Sequence, residues 1–136
     1  MKQYVLDTNI VSYCLKGFFD LETKIEMVLD NGDKIILSPV TLYEILRGLY
    51  AVKANRRLVL FMTLCRQFEE KDITKDDWIE AAKLYAENLS HPISESDLLQ
   101  AAFCIHNGYI LVTHNTKHFE HLRNLSLEDW IDNDKK

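Results

Sequence analysis

An α/β fold with a central, mainly parallel sheet of about five short strands between layers of helices is what this sequence predicts. Two observations carry that expectation. Tyr4-Val5-Leu6, Lys34-Ile35-Ile36-Leu37 and Tyr109-Ile110-Leu111-Val112-Thr113 are short apolar runs rich in strand-favouring residues. Such continuous runs belong to strands buried on both faces, as in parallel sheets. Between them lie segments whose apolar residues recur at helical spacing, and strands that alternate with helices pair in parallel through crossovers.

Taken in order, Tyr4 to Leu6 is the first strand, and Asp7 falls where it ends. Thr8-Asn9 then opens an amphipathic segment carrying Ile10, Val11, Tyr13, Cys14 and Leu15. Gly17-Phe18-Phe19-Asp20 reads as a turn. Leu21 to Leu29 is helical, with Leu21, Ile25, Val28 and Leu29 on one side, until Asn31-Gly32-Asp33 breaks the chain. Lys34 to Leu37 is the second strand. Ser38-Pro39 starts a helix in the order of cap then proline, with Leu42, Ile45, Leu46 and Leu49 as its stripe.

Lys53 to Leu64 is expected to be a further helix, apolar at Leu58, Leu60, Phe61 and Leu64. Phe68 to Ile73 holds a weakly marked third strand. Thr74-Lys75-Asp76-Asp77 has the form of a capping box and opens a helix running to about Leu89. After the His91-Pro92-Ile93 loop, Ser94-Glu95-Ser96-Asp97 opens an apolar helix that Asn107-Gly108 closes. The strand at 109–113 follows. Phe119, Leu122, Leu125, Leu127, Trp130 and Ile131 suffice to pack a last short strand.

Composition bounds the function. The chain has 136 residues, 47% hydrophobic and 27% charged, with 4 Gly and 2 Pro, so residues 1–136 are read as a single globular domain. No internal repeat or linker interrupts it. Its longest uninterrupted apolar run, Leu58 to Met62, is too short to span a bilayer, and no signal peptide is expected. Cys14, Cys65 and Cys104 form no CxxC pair and are expected as buried thiols in a reducing cytoplasm. A net charge of −5 argues against nonspecific nucleic-acid binding by the whole surface. A local basic site remains open, because Arg47, Lys53, Arg56, Arg57 and Arg66 fall within one short stretch.

Three acids stand out by position. Asp7 follows strand one, Glu44 lies in the helix after strand two, and Asp97 lies in the first turn of the helix before the strand at 109–113. Each has an ordinary structural explanation. Asp7 and Asp97 suit helix starts, and Thr41-x-x-Glu44 could be a capping box. At about 100° per residue Glu44 also projects away from its helix's apolar stripe, toward solvent. Together, however, all three can reach one edge of a parallel sheet, where open α/β folds bind ligands. Converging carboxylates repel unless a cation sits among them, and hard oxygen ligands suit Mg²⁺ or Mn²⁺. Such an ion activates water and stabilises charge on a phosphate under in-line attack.

Four stretches carry a family resemblance: Leu6-Asp7-Thr8-Asn9-Ile10, Ser38 to Ile45, Asp97-Leu98-Leu99-Gln100-Ala101-Ala102, and Leu111 to Phe119. In order and within this length, they resemble the motifs of a PIN domain, specifically the VapC-type toxins of bacterial toxin–antitoxin pairs. The likeness reaches the closing Leu127-Glu128-Asp129-Trp130. It implies a Mg²⁺- or Mn²⁺-dependent endoribonuclease that cuts RNA, forms a homodimer, and is inhibited by a small VapB-type antitoxin inserting a segment near the acids. By position, Asp7, Glu44 and Asp97 would hold the metal. Asn115 stands where many PIN domains have a fourth acid and could bond a water or the substrate, while Thr113 would help to orient that network. Arg47 and Arg56 are candidates to line a path for RNA phosphates.

Other features are less persuasive. His114, His118 and His121 invite a zinc site, but no cysteine lies near to complete the ligand set. No nucleophile-elbow motif suggests a serine hydrolase. Asp76 and Asp77 read as helix-start acids, and Trp78 and Trp130 as core or interface aromatics. Two rival functions remain: a catalytically silent RNA- or protein-binding module, and a DNA-processing metal nuclease of related fold.

Overall fold

The computed structural model describes residues 1–131. It contains β1 (Gln3–Leu6), α1 (Thr8–Leu15), α2 (Leu21–Asp30), β2 (Lys34–Leu37), α3 (Pro39–Ala51) and α4 (Asn55–Cys65). There follow β3 (Glu69–Glu70), α5 (Lys75–Glu87), α6 (Glu95–Asn107), β4 (Ile110–Val112), α7 (Thr116–Phe119) and β5 (Ser126–Glu128). The five strands form one sheet in the order β3-β2-β1-β4-β5, parallel throughout.

Strand residues alternate between two cores, which is why the strands read as continuously apolar. Tyr4, Leu6, Ile35, Leu37 and Val112 face a core shared with α1 to α4, centred on Ile10, Ile25 and Phe61. Val5, Ile36 and Leu111 face the opposite core with α5, α6 and α7, centred on Leu84, Phe103 and Phe119. Register is tight at the centre: Tyr4 pairs with Ile35 on one side and with Ile110 on the other.

The chain steps from β1 to β2 in one direction, then crosses back to place β4 on β1's other flank. Between β1 and β4 the winding therefore reverses. Beyond the carboxyl ends of such strands the flanking loops part and leave a crevice. Asp7, which follows β1, and Thr113, which follows β4, stand at that reversal.

Several elements differ from expectation. Helix α4 starts at Asn55 rather than Lys53, because Lys53 is left-handed (φ 54°) where the chain turns out of α3. Of its expected stripe Phe61 is buried, whereas Leu60 is exposed. Helix α5 ends at Glu87, and the short α7 has no marked sequence signal. Gly108 ends α6 with φ 73°, a left-handed cap that glycine adopts without a Cβ penalty. All three cysteines are free thiols. Burial pushes the Cys14 thiol up to about 12 and Cys65 to about 11, so neither is a nucleophile at neutral pH. Among the described residues no helix is long and apolar enough to cross a membrane.

Asp77 does more than cap. Its Oδ2 accepts from the backbone N–H of Thr74 at 2.8 Å, completing the capping box of α5. Its Oδ1 accepts from Asn107 Nδ2 at 2.9 Å and lies 2.6 Å from His106 Nδ1, so one fully buried carboxylate joins the start of α5 to the end of α6. Asp77→Ala is expected to cost about 2 kcal/mol, the scale of a buried charged acceptor lost from its donors. A denaturant midpoint equal to that of the parent would refute this.

Candidate functional site

Asp7 N–H donates to Val112 O at 2.8 Å, so the sheet ladder carries the residue to the carboxyl edge of β1 and β4. Its two carboxylate oxygens then do different work. Oδ1 accepts from the Thr8 N–H at 2.9 Å and caps α1, the ordinary structural role. Oδ2 accepts from the Thr113 hydroxyl at 2.9 Å, across the gap between β1 and β4. The same hydroxyl accepts from Asn115 N–H at 3.1 Å, which leaves its proton for Asp7. Capping and site therefore coexist in one side chain.

Asp7 is only 7% exposed. Burial raises its pKa above the usual carboxylate range, opposed by the bonds from Thr113 and Thr8 and reinforced by the charges of Asp97 and Glu44. The charges of Asp97 and Glu44 are thus both felt at Asp7. Glu44 is not simply solvated: Thr8 Oγ1 donates to its Oε1 at 2.7 Å, and Arg47 lies 3.8 Å from its Oε2. Thr41, the alternative cap, instead turns inward and donates to Leu6 O at 3.0 Å. Asp97 sits in the first turn of α6, its N–H bonded to the Ser94 cap at 3.3 Å. Its Oδ2 lies 3.1 Å from His118 Nε2.

Among the described residues, no three His, Cys, Asp or Glu side chains stand together as a ready metal cluster. Glu44 is drawn toward α1 and Arg47, and Asp97 toward His118. Cation binding at this edge would have to exchange those contacts for ligand bonds. The donor chemistry nevertheless suits a hard divalent ion: three carboxylates, that of Asp7 deeply buried and within the field of the other two.

The remaining candidates are scattered more widely. Asn115 is exposed at the start of α7, and its backbone rather than its side chain joins the network. Arg47 stacks over the Tyr43 ring, 5.2 Å from its centroid. Arg56 is exposed on the first turn of α4 and does not line the groove beside the acids. That groove, about 250 Å³, is lined by Thr8, Asn9, Glu44 and the basic residues Lys16 and Arg57.

Sequence reasoning gave Thr8 and Lys16 no place at the site and weighed His118 only as a zinc ligand; of the basic cluster it favoured Arg47 and Arg56, whereas Arg57 lines the groove. A one-residue step on a helix turns a side chain by about 100°, a distinction that charge clustering cannot make. The three histidines go to separate places, His114 to Asp129 and His121 to His91, so they do not converge as zinc ligands. Of the two roles expected for Trp78, core or interface, its 57% exposure rules out the first. With Tyr43, Tyr85 and Leu99 it lines a mostly apolar groove of about 660 Å³ between α3, α5 and α6.

The profile of the PIN domain family matches residues 4–125. Ribonuclease VapC1 of Haemophilus influenzae is 25% identical over 135 residues, covering 93% of this chain and 97% of that protein. The tRNA(fMet)-specific endonuclease VapC of Shigella flexneri is 28% identical, covering 96% and 99%. In three dimensions the chain is similar to one in the crystal structure of VapBC2 from Rickettsia felis bound to a DNA fragment from their promoter. That superposition has a TM-score of 0.86 at 27% identity, over 94% of this chain and 98% of the other.

A carboxylate whose pKa is raised by folding favours the folded state only while protonated, below its unfolded value, and that advantage disappears as pH rises through the folded pKa. Ionised Asp7 therefore burdens the cation-free fold at neutral pH. Asp7→Asn, which keeps a cap acceptor, is expected to raise the melting temperature at pH 7 in EDTA. The gain should shrink as the pH falls toward the normal carboxylate range. A pH-independent difference would contradict this.

Proposed function

This chain belongs to the PIN-domain family, and we propose that it is a metal-dependent endoribonuclease, the toxin of a toxin–antitoxin pair. The observation that carries the reading is the buried, Thr113-bonded carboxylate of Asp7, held at the winding reversal within the fields of Asp97 and Glu44. Support also comes from its relatives, named as ribonuclease and tRNA endonuclease, and from its likeness to the VapBC2 structure.

In this reading Asp7, Glu44 and Asp97 hold Mg²⁺ or Mn²⁺. Such an ion supplies Lewis acidity that lowers the pKa of water and offsets charge on a phosphate under attack. The chain's own residues do the positioning. Thr113 and the α1 N-terminus fix the Asp7 carboxylate, the Thr8 hydroxyl steadies Glu44, and His118 steadies Asp97. Lys16 and Arg57 give the adjoining groove positive charge, which suits the phosphates of a single-stranded RNA segment. Asn115, exposed beside Thr113, is available to the substrate.

A VapB-type antitoxin is the partner proposed, by analogy with the VapBC assemblies. For the homodimer we favour the groove between α3, α5 and α6. Trp78, Tyr43 and Tyr85 are all more than half exposed there, and burying such rings is a strong drive to association. Trp78→Glu is expected to convert a dimer to a folded monomer in analytical ultracentrifugation. An unchanged sedimentation coefficient would exclude this face.

The activity is tested with purified, antitoxin-free protein on total cellular RNA in Mg²⁺ or Mn²⁺. Discrete fragments are expected, lost in EDTA and reduced about 100-fold or more in Asp7→Asn and Asp97→Asn, the scale of removing transition-state charge stabilisation. No cleavage with either metal by folded protein would favour a binding-only module. Flap DNA run alongside separates a DNA-processing nuclease.

A further inference from the structure

Beneath the acids lies a buried polar network that the reaction itself does not use. Gln100 on α6, Ser38 at the start of α3 and Thr41 in its first turn are each 1% exposed. Ser38 Oγ accepts from Val40 N–H at 3.2 Å and donates to Gln100 Oε1. Gln100 Nε2 donates to Thr41 Oγ1 at 2.8 Å, and Thr41 Oγ1 donates to Leu6 O at 3.0 Å. The direction of every bond is forced. Leu6 O can only accept, so it takes the Thr41 proton. Thr41 must then accept from the Gln100 amino group, and the Gln100 carbonyl is left to Ser38.

The connections are specific in a way that core filling is not. Gln100 is one turn beyond Asp97 on α6, Thr41 is one turn before Glu44 on α3, and Leu6 directly precedes Asp7. A single amide thus fastens together the three chain segments that carry the three acids. We propose that Gln100 is a positioning residue, whose amide sets the spacing of Asp7, Glu44 and Asp97 for a divalent cation. This rests on the reading of those acids as the cation site. The carboxylates repel, so the segments bearing them would relax apart without a tie. An aliphatic side chain fills the same space but fixes neither the rotation of α3 nor that of α6.

The test is Mn²⁺ binding to the full chain by isothermal titration calorimetry, at a temperature where circular dichroism shows every variant folded. Gln100→Met keeps volume and removes the amide, while Thr41→Val removes the hydroxyl between Gln100 and Leu6. Each is expected to weaken Mn²⁺ binding at least about 10-fold, the usual scale for residues that orient ligands. The double variant should be little worse than either single one, because both cut the same chain of bonds. Parental Mn²⁺ affinity in folded Gln100→Met or Thr41→Val overturns the proposal, even if melting temperatures fall. Wild-type Mn²⁺ binding that survives Asp7→Asn would instead remove the cation-site reading, and this inference with it.

Discussion

The bond from Thr113 to Asp7 is the interaction on which the arrangement depends. It spans the point where the winding of the sheet reverses, so it joins the ends of two strands that the chain reaches more than a hundred residues apart. An ionised carboxylate is costly to bury. Here the cost is met locally by a hydroxyl and by the N-terminus of α1, yet burial and neighbouring charge still leave Asp7 with a raised proton affinity. A side chain in that condition is poised for a partner that carries positive charge.

Around that carboxylate, polar contacts come in two layers. The outer one holds the other acids: Thr8 and Arg47 on Glu44, His118 on Asp97. The inner one, from Ser38 through Gln100 and Thr41 to Leu6, is fully satisfied and buried. A satisfied interior network is rigid and specifies one arrangement, whereas half-exposed contacts exchange readily. The acids are therefore mounted on a fixed, buried frame, with Glu44 and Asp97 only partly buried themselves. Helix dipoles add a small bias, because Asp7 and Asp97 lie at the positive ends of α1 and α6.

The surfaces divide along similar lines. Lys16 and Arg57 share a groove with Glu44, although the chain as a whole is negative. The aromatic groove on the α3–α5 side is separate in chemistry, largely apolar with Glu44 and Arg47 at one end. Asp77 and its contacts with Thr74, His106 and Asn107 secure α5 against α6, and so support both that groove and the position of Asp97.

Local signals in the sequence were sufficient for the sheet, its strands and the caps at Ser38, Thr74, Ser94 and Gly108, because strand runs and caps depend on residues only a few positions apart. They also singled out Asp7 at a strand end, Asp97 at a helix start and Glu44 within the helix after β2, whereas Thr113 was picked out only by the family resemblance. Tertiary structure decided the rest. That Asp7 can cap a helix and still present its second oxygen to Thr113 depends on a contact across the sheet. Choosing Arg57 over Arg56 for the groove, sending three histidines to three sites and exposing Trp78 all depend on how helices rotate against their neighbours. So does the bridge made by Gln100, which in one dimension is only a polar residue in an apolar helix. Such rotations are fixed by packing between distant segments, and no short window of sequence contains both sides of the contact.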